Sequence, residues 1–313
     1  MQEHDDPAEA ARHIIPKVIG IALIAVIVVG VVSAFVLQGG KPEITGLGPA
    51  TPPPFGADAK LVAGPAKAWY SPDGSKLAVI TAGAVGLASE GQVRRITPRG
   101  GNVVDVAWFQ AGTALLVAEG PIPTGGLAVV NVTGEVRGSI ALDPPVTFGD
   151  GFGMSVAPGG KRAIVTAVER DTFGKTHTYL VSVDLTTGKT SPLGQRDDQA
   201  RNPEFVDANR LAFTRLTSEG RVAVVRSLVT QDEVVLGDGA VVGVIGDGQS
   251  VAVDTGDSLV SYLPEGGGLH VLAAAVDGGV QAVHPSGVRA AVAATESNAV
   301  VLREISLVRR GST

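Results

Sequence analysis

Residues 68–80 read AWYSPDGSKLAVI: an apolar stretch, a Ser-Pro-Asp-Gly turn, then an alternating apolar strand. Pro72 presets φ for the second position of a turn, and Asp73 and Gly74 tolerate the backbone that a chain reversal needs. The plan recurs as AWFQAGTALLVA at 107–118, MSVAPGGKRAIVTA at 154–167, EFVDANRLAFT at 204–214, GVIGDGQSVAV at 243–253 and QAVHPSGVRAAVA at 281–293. The turn residues Gly74, Gly112, Gly160, Asn209, Gly248 and Gly287 are separated by 38, 48, 49, 39 and 39 positions. Their mean spacing lies in the range of about 40 to 45 residues for a four-stranded propeller blade. Asn209 replaces Gly in the fourth copy and is expected to take the left-handed conformation there.

Strands follow each turn at regular intervals. In the second copy ALLVAE leads to LAVVNV at 127–132, the Thr133-Gly134 turn and EVRGSIAL at 135–142, and the third repeats this with YLVSVDL and Thr186-Thr187-Gly188. A blade of this kind cannot bury both faces alone and must stack on neighbours around a ring. The expected fold over 58–313 is therefore all-β, a six-bladed β-propeller. AKLVAG at 59–64 sits where an outer strand belongs, and the sixth repeat supplies three strands. Lys60 to Ala63 are thus predicted to pair with the strand around Val300 to Glu304, closing the ring and removing two sheet edges.

SPDGSKLAV at 71–79 resembles the signature of the TolB-like, or WD40-like PD40, propeller repeat, and APGGKRAIV and HPSGVRAAV look like degenerate copies. The Trp-Asp and Gly-His pairs of true WD40 repeats are absent, so the TolB-like class is the closer match. The resemblance covers residues 58 to 310 and implies architecture rather than function. With its Ala/Val/Gly bias, the chain is similar to membrane-anchored propellers of actinobacterial cell envelopes.

Residues Val18 to Leu37 form twenty positions without a charge. As a helix they would span about 30 Å, the thickness of a bilayer hydrocarbon core. Arg12 and Lys17 precede the stretch and only Lys41 follows closely, so the expectation is one transmembrane helix with residues 1–17 cytoplasmic and the propeller extracytoplasmic. Val32-Ser33-Ala34 would suit a signal-peptide cleavage site, but the apolar run exceeds the usual length of about 7 to 15 residues. Residues 38–57, with Pro52-Pro53-Pro54, read as a semi-extended linker.

A charged fraction of only 18% against 44% hydrophobic excludes general disorder, and a formal charge of −6 gives no footprint for nucleic acid. No cysteine is present, which removes disulfides, thiolate metal sites and cysteine nucleophiles. Gly153-Met154-Ser155-Val156-Ala157 lacks the second Gly of a nucleophile elbow and reads as an innermost strand. The Gly-Lys-Thr triplets at 174 and 188 lack the upstream Gly of a phosphate loop, and the five histidines have no zinc spacing. Asn131-Val132-Thr133 matches a glycosylation sequon in form only.

Six-bladed propellers can be metal-dependent hydrolases of the lactonase kind, whose acidic ligands project from innermost strands. Here those strands offer only Asp105 and Glu204, fewer than a divalent oxygen-rich site uses. No cofactor and no metal is therefore expected. A ligand-sensing ectodomain is a further alternative, weakened by a seventeen-residue tail too small to fold as an output domain. The remaining expectation is a non-catalytic scaffold for an envelope protein or peptide. Its binding face would be the one bearing the loops at 119–126, 143–152, 169–177 and 195–203, with Phe148, Phe152, Arg170, Asp171, Phe173, Asp197, Asp198 and Arg201 as candidate contacts.

Overall fold

The chain enters the ring through β1 (Ala59–Leu61), which belongs to the last blade. Blade 1 is β2 (Lys67–Tyr70), β3 (Leu77–Thr81), β4 (Ala84–Ser89) and β5 (Gln92–Arg95). Blade 2 is β6 (Val103–Phe109), β7 (Ala114–Glu119), β8 (Gly126–Asn131) and β9 (Val136–Ala141); blade 3 is β10 (Met154–Val156), β11 (Arg162–Arg170), β12 (Thr176–Asp184) and β13 (Thr190–Leu193). Blade 4 is β14 (Ala200–Phe205), β15 (Arg210–Leu216), β16 (Arg221–Ser227) and β17 (Glu233–Asp238). Blade 5 is β18 (Ala240–Ile245), β19 (Ser250–Asp254), β20 (Ser258–Tyr262) and β21 (His270–Ala274). Blade 6 is β22 (Gly279–Val283), β23 (Arg289–Glu296) and β24 (Ala299–Ser306), completed on its outer side by β1. These six four-stranded antiparallel sheets come from a computed structural model that describes residues 59–61, 67–81, 83–89, 92–96, 102–120, 126–149, 153–274, 276, 278–296 and 299–307.

The ring closes as the sequence predicts: Ala59 pairs with Leu302, Lys60 with Val301 and Leu61 with Val300. Val62 and Ala63, the other half of that prediction, lie outside the described residues, as does the whole of Val18 to Leu37. Among the described residues no helix is long and apolar enough to cross a membrane.

Near-continuous apolar runs in the second strand of each blade follow from burial on both faces. Successive side chains of a strand point to opposite faces. In β3, Leu77 and Val79 pack toward blade 6 while Ala78 and Ile80 pack toward blade 2. In β7, Leu115 and Val117 face blade 1, and Leu116 and Ala118 face blade 3. The apolar core is accordingly divided into clusters, one at each of the six junctions between blades.

The turns between first and second strands interlock around the ring. Gly74 sits against the His284 ring of blade 6, where any Cβ would overlap it, and its φ of +70° is one that side chains rarely adopt. Gly112 nests on Ser71 and Pro72 of blade 1, Gly160 on Phe109 of blade 2, Gly248 on Val206 of blade 4 and Gly287 on Ile245 of blade 5. Blade 4 departs from the rule. In blades 1, 3 and 6 the residue opening the turn, Ser71, Ala157 or His284, donates its N–H to the carbonyl five residues on, but Val206 donates to Arg210, four on. The shorter turn has no left-handed position, so Asn209 does not take the conformation expected of it. Asp207 holds it instead, accepting from the N–H groups of Asn209 and Arg210 at 2.7 and 2.9 Å. Arg162 bridges blade 3 to this turn through the Ala208 carbonyl at 2.8 Å.

Candidate functional site

Antiparallel order places the hairpins joining second to third strands on the same face as the connections between blades, opposite the Ser-Pro-Asp-Gly type turns. On this loop face the most developed element is the β11–β12 hairpin, two nine-residue strands in unbroken register from Arg162↔Asp184 to Arg170↔Thr176. Asp171 orders its tip. The carboxylate accepts from the N–H groups of Phe173 and Lys175, both at 2.8 Å, while His177 Nε2 lies 3.2 Å from its other oxygen. The His177 hydrogen bond and then these two N–H groups hold the Asp171 carboxyl below its ordinary value. Phe173, on this braced turn, is 94% exposed. Arg170 is exposed beside it.

The other candidate contacts do not gather around this tip. Phe148 is buried in the cluster between blades 2 and 3, bridging to Ala167, because its loop turns back under the hairpin; it is not a surface contact. Arg201 is part of the innermost strand β14, half-buried beside a bulge rather than on an open loop. Asp198 pairs with Arg226 at 2.9 Å across the junction of blades 3 and 4. Phe152 and the Asp197 side chain lie outside what is described, although Asp197 belongs to a short 3-10 turn at Arg196–Asp198.

Arg226 escaped the sequence reading because its partners are distant in the chain. Its Nε donates to Glu233 at 2.7 Å, Nη1 to the Leu193 carbonyl at 3.1 Å and Nη2 to Asp198, and it lies over the Phe213 ring. Burial works to raise the Glu233 carboxyl, but hydrogen bonds from Arg215 and Arg226 outweigh it and leave the group below its ordinary value. An open, largely polar groove of about 550 Å³ runs along this network, lined by Gln195, Asp198, Arg215, Arg226, Gln231 and Glu233 among others. Every charge named in it already has a partner, so the network reads as a latch between blades.

Asp105 of β6 and Glu204 of β14 stand on innermost strands either side of β10, near enough for Asp105 to act electrostatically on Glu204, which Ser155 of β10 contacts. Asp105 accepts from Val106 N–H at 2.9 Å and from Gly153 N–H at 2.7 Å, which ties blade 2 to blade 3. Ser155 Oγ accepts from Phe205 N–H at 3.2 Å and donates weakly to Glu204 Oε2 at 3.4 Å. Burial pushes the Glu204 carboxyl up to about 8, with Ser155 opposing and Asp105 adding to the rise. As a metal centre the set fits poorly. Both Asp105 oxygens are committed to backbone N–H groups, Glu204 favours its neutral form, and no group of three His, Cys, Asp or Glu side chains converges among the described residues.

The remaining motifs are structural. Asn131 is buried and its side chain holds the Thr133-Glu135 turn, which leaves the sequon no free amide. His284 packs against Tyr70 and braces its own turn through Ser286.

No protein-family model matches the chain, and no curated protein matches it in sequence. Solved structures match it in fold. TolB from Acinetobacter baumannii superposes with a TM-score of 0.54 at 15% identity, covering 77% of this chain and 60% of that one, so the chain spans about three-fifths of its length. A putative TolB from Agrobacterium tumefaciens gives 0.52 at 14% identity over 79% and 91% of the two chains. A gluconolactonase from Xanthomonas campestris gives 0.57 at 12% identity over 79% and 88%. Such identities establish architecture alone, and on that ground the chain is a six-bladed β-propeller whose fold is similar to that of TolB and other propellers.

Proposed function

We propose that this protein is a non-catalytic, membrane-anchored propeller, held outside the cytoplasm by Val18 to Leu37, whose loop face binds a protein or peptide of the cell envelope. One observation carries the reading: the Asp171-braced hairpin holds Phe173 94% exposed. An aromatic ring carried on an ordered turn needs no further backbone ordering when it binds, which lowers the cost of using it as an anchor. Arg170 and Lys175 flank it, and neither forms an ion pair among the described residues. The fold shared with TolB suits a scaffold. The N-terminal end of β1, Ala59, lies at the side of the ring opposite this face.

The test is cross-linking in native membranes with full-length wild type and the Arg170→Ala/Phe173→Ala double variant. The wild-type chain is expected in the membrane fraction with discrete adducts, and the variant to lose them by at least about tenfold, as loss of an aromatic anchor does. Its melting temperature should not change, since exposed loop substitutions cost little stability. Equal capture by the variant overturns the site. Arg201, half-buried in β14, is left intact because its removal would confuse binding with folding.

A second reading, a hydrolase working in the channel, draws on Glu204, Ser155 and Asp105 and on the fold likeness to a gluconolactonase. The donor chemistry described above gives it no metal-dependent step. Lactone hydrolysis that disappears in Glu204→Gln would favour it over the scaffold.

A further inference from the structure

The β11–β12 hairpin runs on past the strands beside it. β10 pairs with β11 only as far as Val165, and β13 pairs with β12 only from Leu180, so residues 166–179 reach beyond both. This extension is held from two sides. On one, Val168 N–H donates to the Thr147 carbonyl at 2.9 Å and Ala167 bridges to Phe148. On the other, Gln199 Nε2 donates to the Thr176 carbonyl at 3.3 Å and Arg196 pairs with Glu169 at 3.0 Å. The braces occupy the acids: Glu169 is held by Arg196, and Asp171 by two backbone N–H groups and His177. Arg170 and Lys175, both exposed, have no carboxylate partner among the described residues. On a chain of formal charge −6, the tip therefore presents two uncompensated cations around the exposed Phe173 ring.

Resting on the loop-face reading above, we infer that the partner of this tip is an acidic protein surface: an apolar pocket that takes the Phe173 ring, rimmed by carboxylates that meet Arg170 and Lys175. Shape assigns the pocket to the partner, because a two-stranded projection can enter a cavity but cannot itself enclose one. Charge assigns the rim. Opposite potentials across an interface steer encounter and fix orientation, whereas a basic partner would meet two uncompensated like charges at the point of contact. Outside the tip the chain is net acidic, so an acidic partner is repelled elsewhere and directed to this hairpin. An anionic lipid surface is the poorer occupant. Membrane binding grows with buried apolar area, and the tip offers no second exposed large hydrophobic side chain among the described residues.

The Lys175 amine gives a direct chemical readout, since a carbodiimide joins an amine to a carboxylate only where the two are in contact. Full-length protein in native membranes is treated with carbodiimide, and the joined peptides are identified by mass spectrometry. Lys175 should be joined to Asp or Glu of another protein, and Lys175→Arg, which keeps the charge but has no amine, should lose that adduct. With a photo-reactive residue in place of the exposed Thr172, Lys175→Arg should still capture the same protein. Arg170→Glu/Lys175→Glu, with Phe173 intact, should lose it by at least about tenfold at an unchanged melting temperature. Undiminished capture by the charge-reversed variant, or photo-adducts with lipid alone, would overturn the acidic partner. If Phe173→Ala then loses capture, the loop-face reading survives; if it captures fully, both fall.

Discussion

Replacing Glu204 with Gln should make the protein more stable above pH 5, although the substitution removes a charge and adds no contact. In the folded state the carboxyl titrates at about 8 against an ordinary value of 4.5. Below 4.5 it is neutral in both states and contributes nothing. Between 4.5 and 8 the unfolded chain loses the proton while the folded protein keeps it, so stability falls as pH rises and levels off above 8. At about 1.36 kcal/mol per pH unit the full span is worth roughly 4–5 kcal/mol, an upper bound. Glu204 retains some exposure toward the channel, and effective screening there reduces the expected gain to about 2–3 kcal/mol at pH 8. Gln keeps the shape and can still accept from Ser155. Denaturant unfolding of both proteins from pH 4 to pH 9 measures this directly. The difference should be near zero at pH 4, grow through neutrality and become constant above pH 8; parallel curves would refute the uncompensated carboxyl.

Ring closure predicts that deletion through Gly64, which removes β1, lowers the melting temperature by several degrees, at about 2–4 °C per kcal/mol for a domain of this size. Deletion through Gly56 should leave it unchanged, and equal melting of the two chains would refute closure by the N-terminal strand. Arg226→Ala should cost about 3 kcal/mol, because it takes the cation from Asp198 and leaves Glu233 with Arg215 alone at a junction where the Arg226 side chain is only 6% exposed. Chemical denaturation measures this, and a loss below about 1 kcal/mol would place the latch among surface ion pairs.

Blade number and closure were legible because the turn marker is local: its residues lie within six positions, and their recurrence counts blades whatever the side chains later touch. The alternating burial of β3 and β7 was equally local. The loop face was harder. Phe148 and Phe173 both read as aromatics in polar loops, yet one loop folds back to bridge Ala167 while the other is braced outward by Asp171. Only the Asp-x-Phe-Gly-Lys pattern, with its side-chain-bonded turn, distinguishes them in sequence. Arg226 and Asp198 are separated by 28 positions, and nothing short of the blade register brings them together. Asn209 shows the opposite failure: the residue suited a left-handed turn, but the turn had lost a residue.

The direction of β1 sets how the ring bears load. Its three register pairs with β24 lie along a strand whose N-terminal end, Ala59, points toward the Ser-Pro-Asp-Gly side of the ring. A pull on the chain from before Ala59, opposed by a partner gripping the loop face, acts parallel to the strands. All the hydrogen bonds of the β1–β24 ladder are then sheared together rather than opened one after another. The strand that completes the ring is thus also placed as its mechanical clamp, and a tether attached at the opposite end of the same strand would unzip it.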